Sequence, residues 1–392
     1  MKKNIFKLYL PGLFALALTA CSSDDNGTTG TKEEEETLVR TEVISNYADV
    51  VEANYAQALA DAEALQDAID TFVAEPTQAN FDAAKTAWLA SRESYGPSEA
   101  FRFANGPIDS GDTEELEGLL NSWPMDEAYV DYVEGDETAG LINEEAATFE
   151  ITKENLIVKN GEGDTEENVS VGYHAIEFLL WGQDNTDPSE KLSGQRPYTD
   201  FVDGGTATNQ DRRRLYLQLV AELLVDNLQE VADTWSSSYR TTFLALPEDE
   251  ALNNILSSIA ELSSSELAIE RMAVALENQN QEDEHSCFSD NTHRDIRLNL
   301  EGIANVYNGT YGSVSGLSLA DLIEEADADL AAELDALLTA AETAVGATAI
   351  PFDYAISDGI TSEEGAKVQE AVVALTEFGN KLLEAKTSLG IE

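Results

Sequence analysis

Apolar residues recur along most of this chain at the three- and four-residue spacing of amphipathic helices. Between Thr37 and Glu75 run Leu38, Val43, Tyr47, Val50, Val51, Tyr55, Leu59, Leu65, Ile69 and Phe72, with charged residues between them, and the spacing predicts one long helix ended by Pro76. Thr77 is placed to cap a second helix that carries Phe81, Ala84, Trp88 and Leu89 and stops at Gly96-Pro97. Shorter helical pieces are predicted around 114–120, 143–158 and 165–181. After Gly204-Gly205 the positions Leu215, Leu219, Leu223, Val231 and Trp235 form another long amphipathic run, closed by Pro247. Further helices are expected near 249–281, 291–306, 318–345 and 362–388.

β-Branched alternation is scarce and alanine and glutamate dominate, so the chain reads as all-α. Its halves each begin with a long helix, a proline break and a second helix. That plan predicts two helical bundles, over 37–205 and 206–392, of the kind duplication of one unit produces, although no residue-by-residue repeat accompanies the offset from Pro76 to Pro247.

The N-terminus departs from this pattern. Basic Met1-Lys2-Lys3-Asn4-Ile5-Phe6-Lys7 precedes an apolar run that ends at Ala20, the order of an export signal over 1–20 and too short for a convincing membrane span. Leu18-Thr19-Ala20-Cys21 resembles a bacterial lipobox, which implies lipid attachment at Cys21. The following Ser22-Ser23-Asp24-Asp25 resembles the acidic export tags of surface lipoproteins in Bacteroidetes-type bacteria. Residues 21–36 hold almost nothing apolar and read as a solvated tether. The expected location is therefore the bacterial cell envelope, anchored by lipid to the outer membrane and compatible with surface exposure. Cys287 is the only other thiol, so stability must come from a large core and not from disulfides.

Charge narrows the partners further. The 392 residues carry 76 acids against 22 Lys and Arg, a formal net charge of −54. Nucleic acid is excluded, because affinity for it comes mainly from neutralising phosphates with basic side chains. An apolar content of 43% is nevertheless too high for a disordered acidic chain.

One predicted helix carries unusual chemistry. In Val169 to Trp181 the polar side chains, apart from the Tyr173 hydroxyl, are Ser170, His174 and Glu177, and at about 100° per residue they share a sector of roughly 60°. Trp181 projects into the same sector, so the stripe is expected to face an enclosed, aromatic-walled space. Thr165 is placed to cap this helix. A His and a Glu at i and i+3 can direct an imidazole nitrogen and a carboxylate oxygen at one cation, and a buried carboxylate requires a cation, a proton or a donor. Two more polar clusters break the helical pattern. Tyr95 to Phe103 contains Ser98, suited to cap a turn, and Glu99 and Arg102, spaced for an ion pair. Glu284 to Asp295 holds the other two histidines, His285 and His293, with Ser286, Ser289 and Asp290.

Gly172-Tyr173-His174-Ala175-Ile176-Glu177 matches the GxHxxE signature of imelysin-like proteins. The resemblance extends to Trp88, to Tyr95-Gly96-Pro97-Ser98-Glu99-Ala100-Phe101-Arg102-Phe103, to Trp123-Pro124-Met125-Asp126-Glu127 and to His285-Ser286-Cys287-Phe288-Ser289-Asp290-Asn291-Thr292-His293; the last is closest to the iron-regulated members. It covers most of the chain from about 37 onward. It implies an all-α fold of two bundles, an exported or lipid-anchored location and a functional cleft around the GxHxxE helix. Some members are classed as metallopeptidases and others are associated with iron uptake. For a metal site, the expected ligands are His174 and Glu177, with a third from Glu99, His285, His293 or an acid elsewhere. Ser98, Arg102, Ser170, Ser286 and Asp290 are expected to line the same cleft. A His and carboxylate set suits iron, with Mn, Ca and Zn also compatible. No HExxH helix and no separate base are identifiable, which favours a binding protein over a peptidase. A peptide or anionic ligand, the latter taken bidentately by Arg102, and an interaction protein with a metal-free cleft are the other readings.

Overall fold

A computed structural model describes residues 32–109, 116–163 and 165–391; the signal segment 1–20 and Cys21 lie outside the described residues. Helices dominate. The first half contains α1 (Lys32–Ala74), α2 (Gln78–Tyr95), α3 (Leu116–Leu120), α4 (Glu127–Val130), α5 (Lys153–Lys159), α6 (Gly172–Trp181), α7 (Gln210–Thr234) and α8 (Arg240–Leu244). The second contains α9 (Glu248–Glu261), α10 (Val274–Asn278), α11 (Thr292–Asn308), α12 (Leu319–Ala326), α13 (Ala328–Ala347), α14 (Phe352–Ile356) and α15 (Glu363–Ser388). A single two-residue hairpin, Thr310–Tyr311 with Val314–Ser315, is the sheet among the described residues. The all-α expectation holds.

Local chemistry explains most boundaries. Thr77 caps α2 by accepting from the Asn80 amide at 3.3 Å, and a 3₁₀ turn, Gly96–Phe101, follows where Pro97 interrupts the helix. Four expectations are corrected. α1 begins at Lys32, inside the expected tether. Over 143–158 only the last turns are helical, entered at Thr152, which caps α5. Thr165 caps nothing helical: α6 starts at Gly172. Asp327 divides 318–345 by ending α12 and accepting from the Leu330 amide to start α13.

α1 packs along α2 and α7, and α6 lies against α2 and α7. In the second half α15 packs on α9, on α13 and on a π-helical stretch, Leu262–Ala273, that links α9 to α10. Thus α7, which follows Gly204-Gly205, packs on both α1 and α6 of the first half. One continuous apolar cluster joins the sets, from Tyr47 and Phe72 to Phe378 and Leu382. The seam between them is where α11 crosses the Gly96–Phe101 turn. A Cβ on Gly302 would sit 2.2 Å from the Pro97 carbonyl oxygen, so only glycine allows that crossing. Along this seam α2, α6, α11 and the π stretch present their polar residues to one another.

Candidate functional site

All ten residues of α6 are buried. The helix enters beneath α3, and Gly172 makes that possible: its φ is +85°, and a Cβ there would stand 2.6 Å from the Leu120 carbonyl oxygen. One turn on, His174 Nδ1 lies 2.9 Å from Glu177 Oε2. Glu177 Oε1 accepts from the Ser289 amide at 2.9 Å and from the Ser289 hydroxyl at 2.7 Å. Burial pushes the Glu177 carboxyl up to about 8, against the pull of the Ser289 donors, and it pushes His174 down to about 3, with Arg92 adding to the effect. Near neutrality the pair is therefore uncharged: protonated Glu177 donates to Nδ1, and the imidazole proton sits on Nε2. It is a hydrogen bond and not an ion pair. His174 Nε2 is buried and has no partner.

The second histidine is oriented by a network whose donors and acceptors are fixed in sequence. Arg92, fully buried, donates through Nε and Nη2 to Asp295 Oδ1 at 3.2 and 3.0 Å, and through Nη1 to Asn121 Oδ1 at 2.6 Å. That last bond sets the Asn121 amide, whose Nδ2 must then donate to Glu99 Oε1 and to His285 Nε2, both at 3.3 Å. His285 Nε2 is accordingly the acceptor. The proton sits on Nδ1, 3.1 Å from Asp295 Oδ2, which also accepts from the Ser286 hydroxyl. Burial alone would raise Asp295, but Arg92, His285 and Ser286 outweigh it and hold the carboxyl well below the usual range. Burial likewise pushes His285 down to about 3, so its imidazole stays neutral.

The two imidazoles meet edge to face with centroids 4.7 Å apart, and Trp123 stands against His285 at 5.6 Å. Each histidine is thus held through Nδ1 by a carboxyl group; at His174 the Nε2 proton is the one a metal would displace, and at His285 Nε2 accepts from Asn121.

Glu99 sits behind this pair. Arg271 Nη2 donates to Glu99 Oε2 at 2.6 Å, and its Nη1 donates to Asn299 Oδ1 at 2.6 Å. Burial opposes ionisation of Glu99, yet Arg271, Arg102 and His285 together bring it down to about 2. Arg102 is ringed by Glu99, Glu266, Glu117 and Asp109 at 3.4, 3.3, 3.3 and 3.8 Å. Four carboxylates leave that guanidinium no free charge for an anionic ligand. A cleft of about 410 Å³ opens over these groups, lined by Arg102, Glu117, Asn121, Trp123, Glu266, Arg271 and His285 among others.

Of the residues expected to converge, His174, Glu177, Glu99, Arg102, His285 and Ser286 do so. The others are placed elsewhere. Ser170 precedes α6 in extended chain and donates to the Leu156 carbonyl at 2.7 Å, because the helix that would have carried it into the stripe begins two residues later. Ser98 turns back to the Tyr95 carbonyl at 2.6 Å. His293 pairs through Nδ1 with the Asp290 carbonyl at 2.8 Å and lines a separate surface cleft. Asp290 faces Asp184 and Asp353. Trp181 meets Trp88 edge to face at 5.3 Å, leaving Trp123 as the aromatic wall. Both oxygens of Glu177 are engaged in hydrogen bonds, Oε2 with His174 and Oε1 with Ser289.

Arg92, Asn121 and Arg271 are not predicted from the sequence, and Asp295 falls within the predicted Glu284 to Asp295 cluster without a role of its own. A signal existed for two of them: Arg92 falls between Trp88 and Tyr95, and Arg271 between Leu267 and Ala275, at positions the helical period reserves for the core. Asn121, in a short turn, offered none.

The donors suit a borderline first-row metal such as iron, by one observation: a buried His174 Nε2 without a partner beside a second imidazole whose Nε2 is held as an acceptor. They do not form a closed ligand set. Among the described residues, His174, Glu177, Glu99, His285 and His293 do not bring three ligand atoms within 4.8 Å of one another.

The fold and site define an all-helical protein with a carboxylate-oriented histidine pair buried at the seam of two helical layers. The chain belongs to the imelysin family, Peptidase_M75, whose model matches residues 51–382. It is 27% identical over 354 residues to iron-regulated protein A of Synechococcus elongatus, covering 87% of this chain and 85% of that protein. Among solved structures it is similar to an iron-regulated protein A precursor from Parabacteroides distasonis, at 21% identity and a TM-score of 0.68, over 94% of this chain and 98% of that one. An imelysin-like protein from Psychrobacter arcticum matches at 16% identity and a TM-score of 0.62, over 92% and 97%.

Proposed function

We propose that this protein is an exported, lipid-anchored binding protein of the cell envelope that takes up a metal cation, with iron the favoured choice, at His174 and His285, and serves iron uptake. The observation that carries the reading is the unpartnered, buried Nε2 of His174 facing a second neutral imidazole. Binding at Nε2 releases its proton; the proton between Glu177 and Nδ1 then rests on Nδ1, and Glu177 serves as its carboxylate partner. Asp295 does the same for His285. The iron association is supported by the names of the relatives. A peptidase would also need an unencumbered base, and the acids Glu117 and Glu266 at the cleft are tied to Arg102.

Ferrous iron binding to protein purified without tag or chelator tests this. His174→Ala with His285→Ala should abolish stoichiometric binding. Glu177→Gln should weaken it about 10- to 100-fold while leaving helicity unchanged, because the amide donates to Nδ1 and holds the proton on Nε2. Wild-type iron content in the double variant sinks the proposal, and peptide turnover abolished by chelator would establish the enzyme instead.

The anchor is tested separately. Cys21→Ala should shift the protein from the membrane to the soluble fraction, and unchanged fractionation would remove the lipidation assignment.

A further inference from the structure

On the far side of the Ser289 loop, three segments bring acids together. Asp184 follows the end of α6, Asp290 lies in the loop before α11, and Asp353 is in α14. One carboxylate oxygen from each lies within 4.8 Å of the others. Oxygens that share one calcium ion, each roughly 2.4 Å from it, stand no farther apart than about that limit. Of the nearby cations, the charge of Lys191 reaches Asp353 without forming an ion pair. Lys191, nearby, is turned to the Ile350 carbonyl and over the Tyr354 ring.

Two further observations point to a ligand. Asp353 is only 2% exposed, yet its Oδ2 has no partner; Glu284, 1% exposed and in the same acidic field, also has a buried oxygen, Oε1, without one. Buried carboxylate oxygens without donors are costly unless a cation or proton meets them. In addition, Asp290 adopts the left-handed conformation, φ +60°, uncommon for a residue other than glycine. Its carboxylate lies beside those of Asp184 and Asp353, while its neighbour Ser289 holds Glu177. A cleft of about 340 Å³, lined by Asp184, Gln281 and Asp353 among others, reaches the cluster from solvent and leaves room for water ligands.

We propose that Asp184, Asp290 and Asp353 bind one Ca²⁺ ion, which clamps the loop after α6, the Ser289 loop and α14 together. The donor set is all oxygen, the chemistry of a hard cation, and it is distinct from the imidazole pair. Through Ser289, the clamp fixes the Glu177 carboxyl. The site is independent of the iron-binding reading.

The test is calcium titration of the full chain by calorimetry and thermal unfolding. Wild-type protein should bind one Ca²⁺ and melt higher with it than with chelator. Asp353→Asn and Asp290→Asn should each bind about 10- to 100-fold more weakly. In chelator they should melt at or above the wild type, since each removes one of three crowded charges; this shows that the variants are folded. His174→Ala should keep wild-type calcium affinity. The inference fails if wild-type protein gains no thermal shift from Ca²⁺, if the aspartate variants retain its affinity, or if His174→Ala loses binding as fully as they do.

Discussion

Replacing Arg92 with Met is expected to destabilise the protein by about 3–5 kcal/mol, measured by chemical denaturation at neutral pH. The aliphatic stem is conserved in volume, so the loss is electrostatic. Arg92 gives two bonds to Asp295 and one to Asn121, and its guanidinium stacks near Tyr173 at 4.9 Å and Tyr95 at 5.3 Å. Without it, Asp295 is a buried anion whose remaining partners, Ser286 and the neutral His285, supply no charge. The pH dependence carries the sign of this effect. In the wild type Asp295 is depressed below its unfolded value of about 3.9, so its contribution is present above that pH and is lost only as pH falls through the lower folded value. In Arg92→Met burial should raise Asp295 above its unfolded value, so stability should fall as pH rises from about 4 toward neutrality. Adding Asp295→Asn should restore most of the loss, because a buried pair removed whole costs far less than one broken. A variant as stable as the wild type at pH 7, or one with an unchanged pH profile, would show that the network is not held by this charge pair.

Gly172→Ala is expected to cost about 2–5 kcal/mol and to abolish metal binding with it. The left-handed backbone accounts for about 1–2 kcal/mol. Crowding adds about 1–3 kcal/mol. The new Cβ would lie 2.6 Å from the Leu120 carbonyl oxygen and 2.8 Å from its carbon, and backbone cannot swing aside as a side chain does. Relief requires α6 to shift, which carries His174 away from His285. Gly135→Ala is the control: its φ is +87°, but nothing lies within 4 Å of the added carbon, so it should show the conformational cost alone and bind as the wild type does. Equal losses in the two variants would mean that contact with Leu120 does not position the motif.

The glycine of the GxHxxE motif was legible as a letter but not as a constraint. Its sequence neighbours suggest a helix already running from Thr165, whereas the structure starts the helix at Gly172 and uses the left-handed turn to enter it. The same early start placed Ser170 wrongly in the polar stripe. For the pairing of Glu99 with Arg102, three residues apart, the expectation was right, since spacing within one turn settles it. The role proposed for Arg102 toward an anionic ligand did not survive, because Glu117 and Glu266 reach it from other elements and already satisfy its charge.

What the sequence determined by itself are the properties set within a few turns of chain: the all-α class, the cap at Thr77, the break at Pro97, and His174 placed one turn before Glu177. Helical periodicity and capping depend on neighbours three or four residues away, so these are written locally. Tertiary structure alone decided which groups are buried and who meets them. Arg92 and Asp295 are 203 residues apart, and Ser289 reaches Glu177 across 112. The raised carboxyl of Glu177, the neutral imidazoles and the convergence of Asp184, Asp290 and Asp353 all follow from removing water around groups the chain holds far apart. Desolvation and long-range pairing exist only once the helical layers close, and no local pattern encodes them.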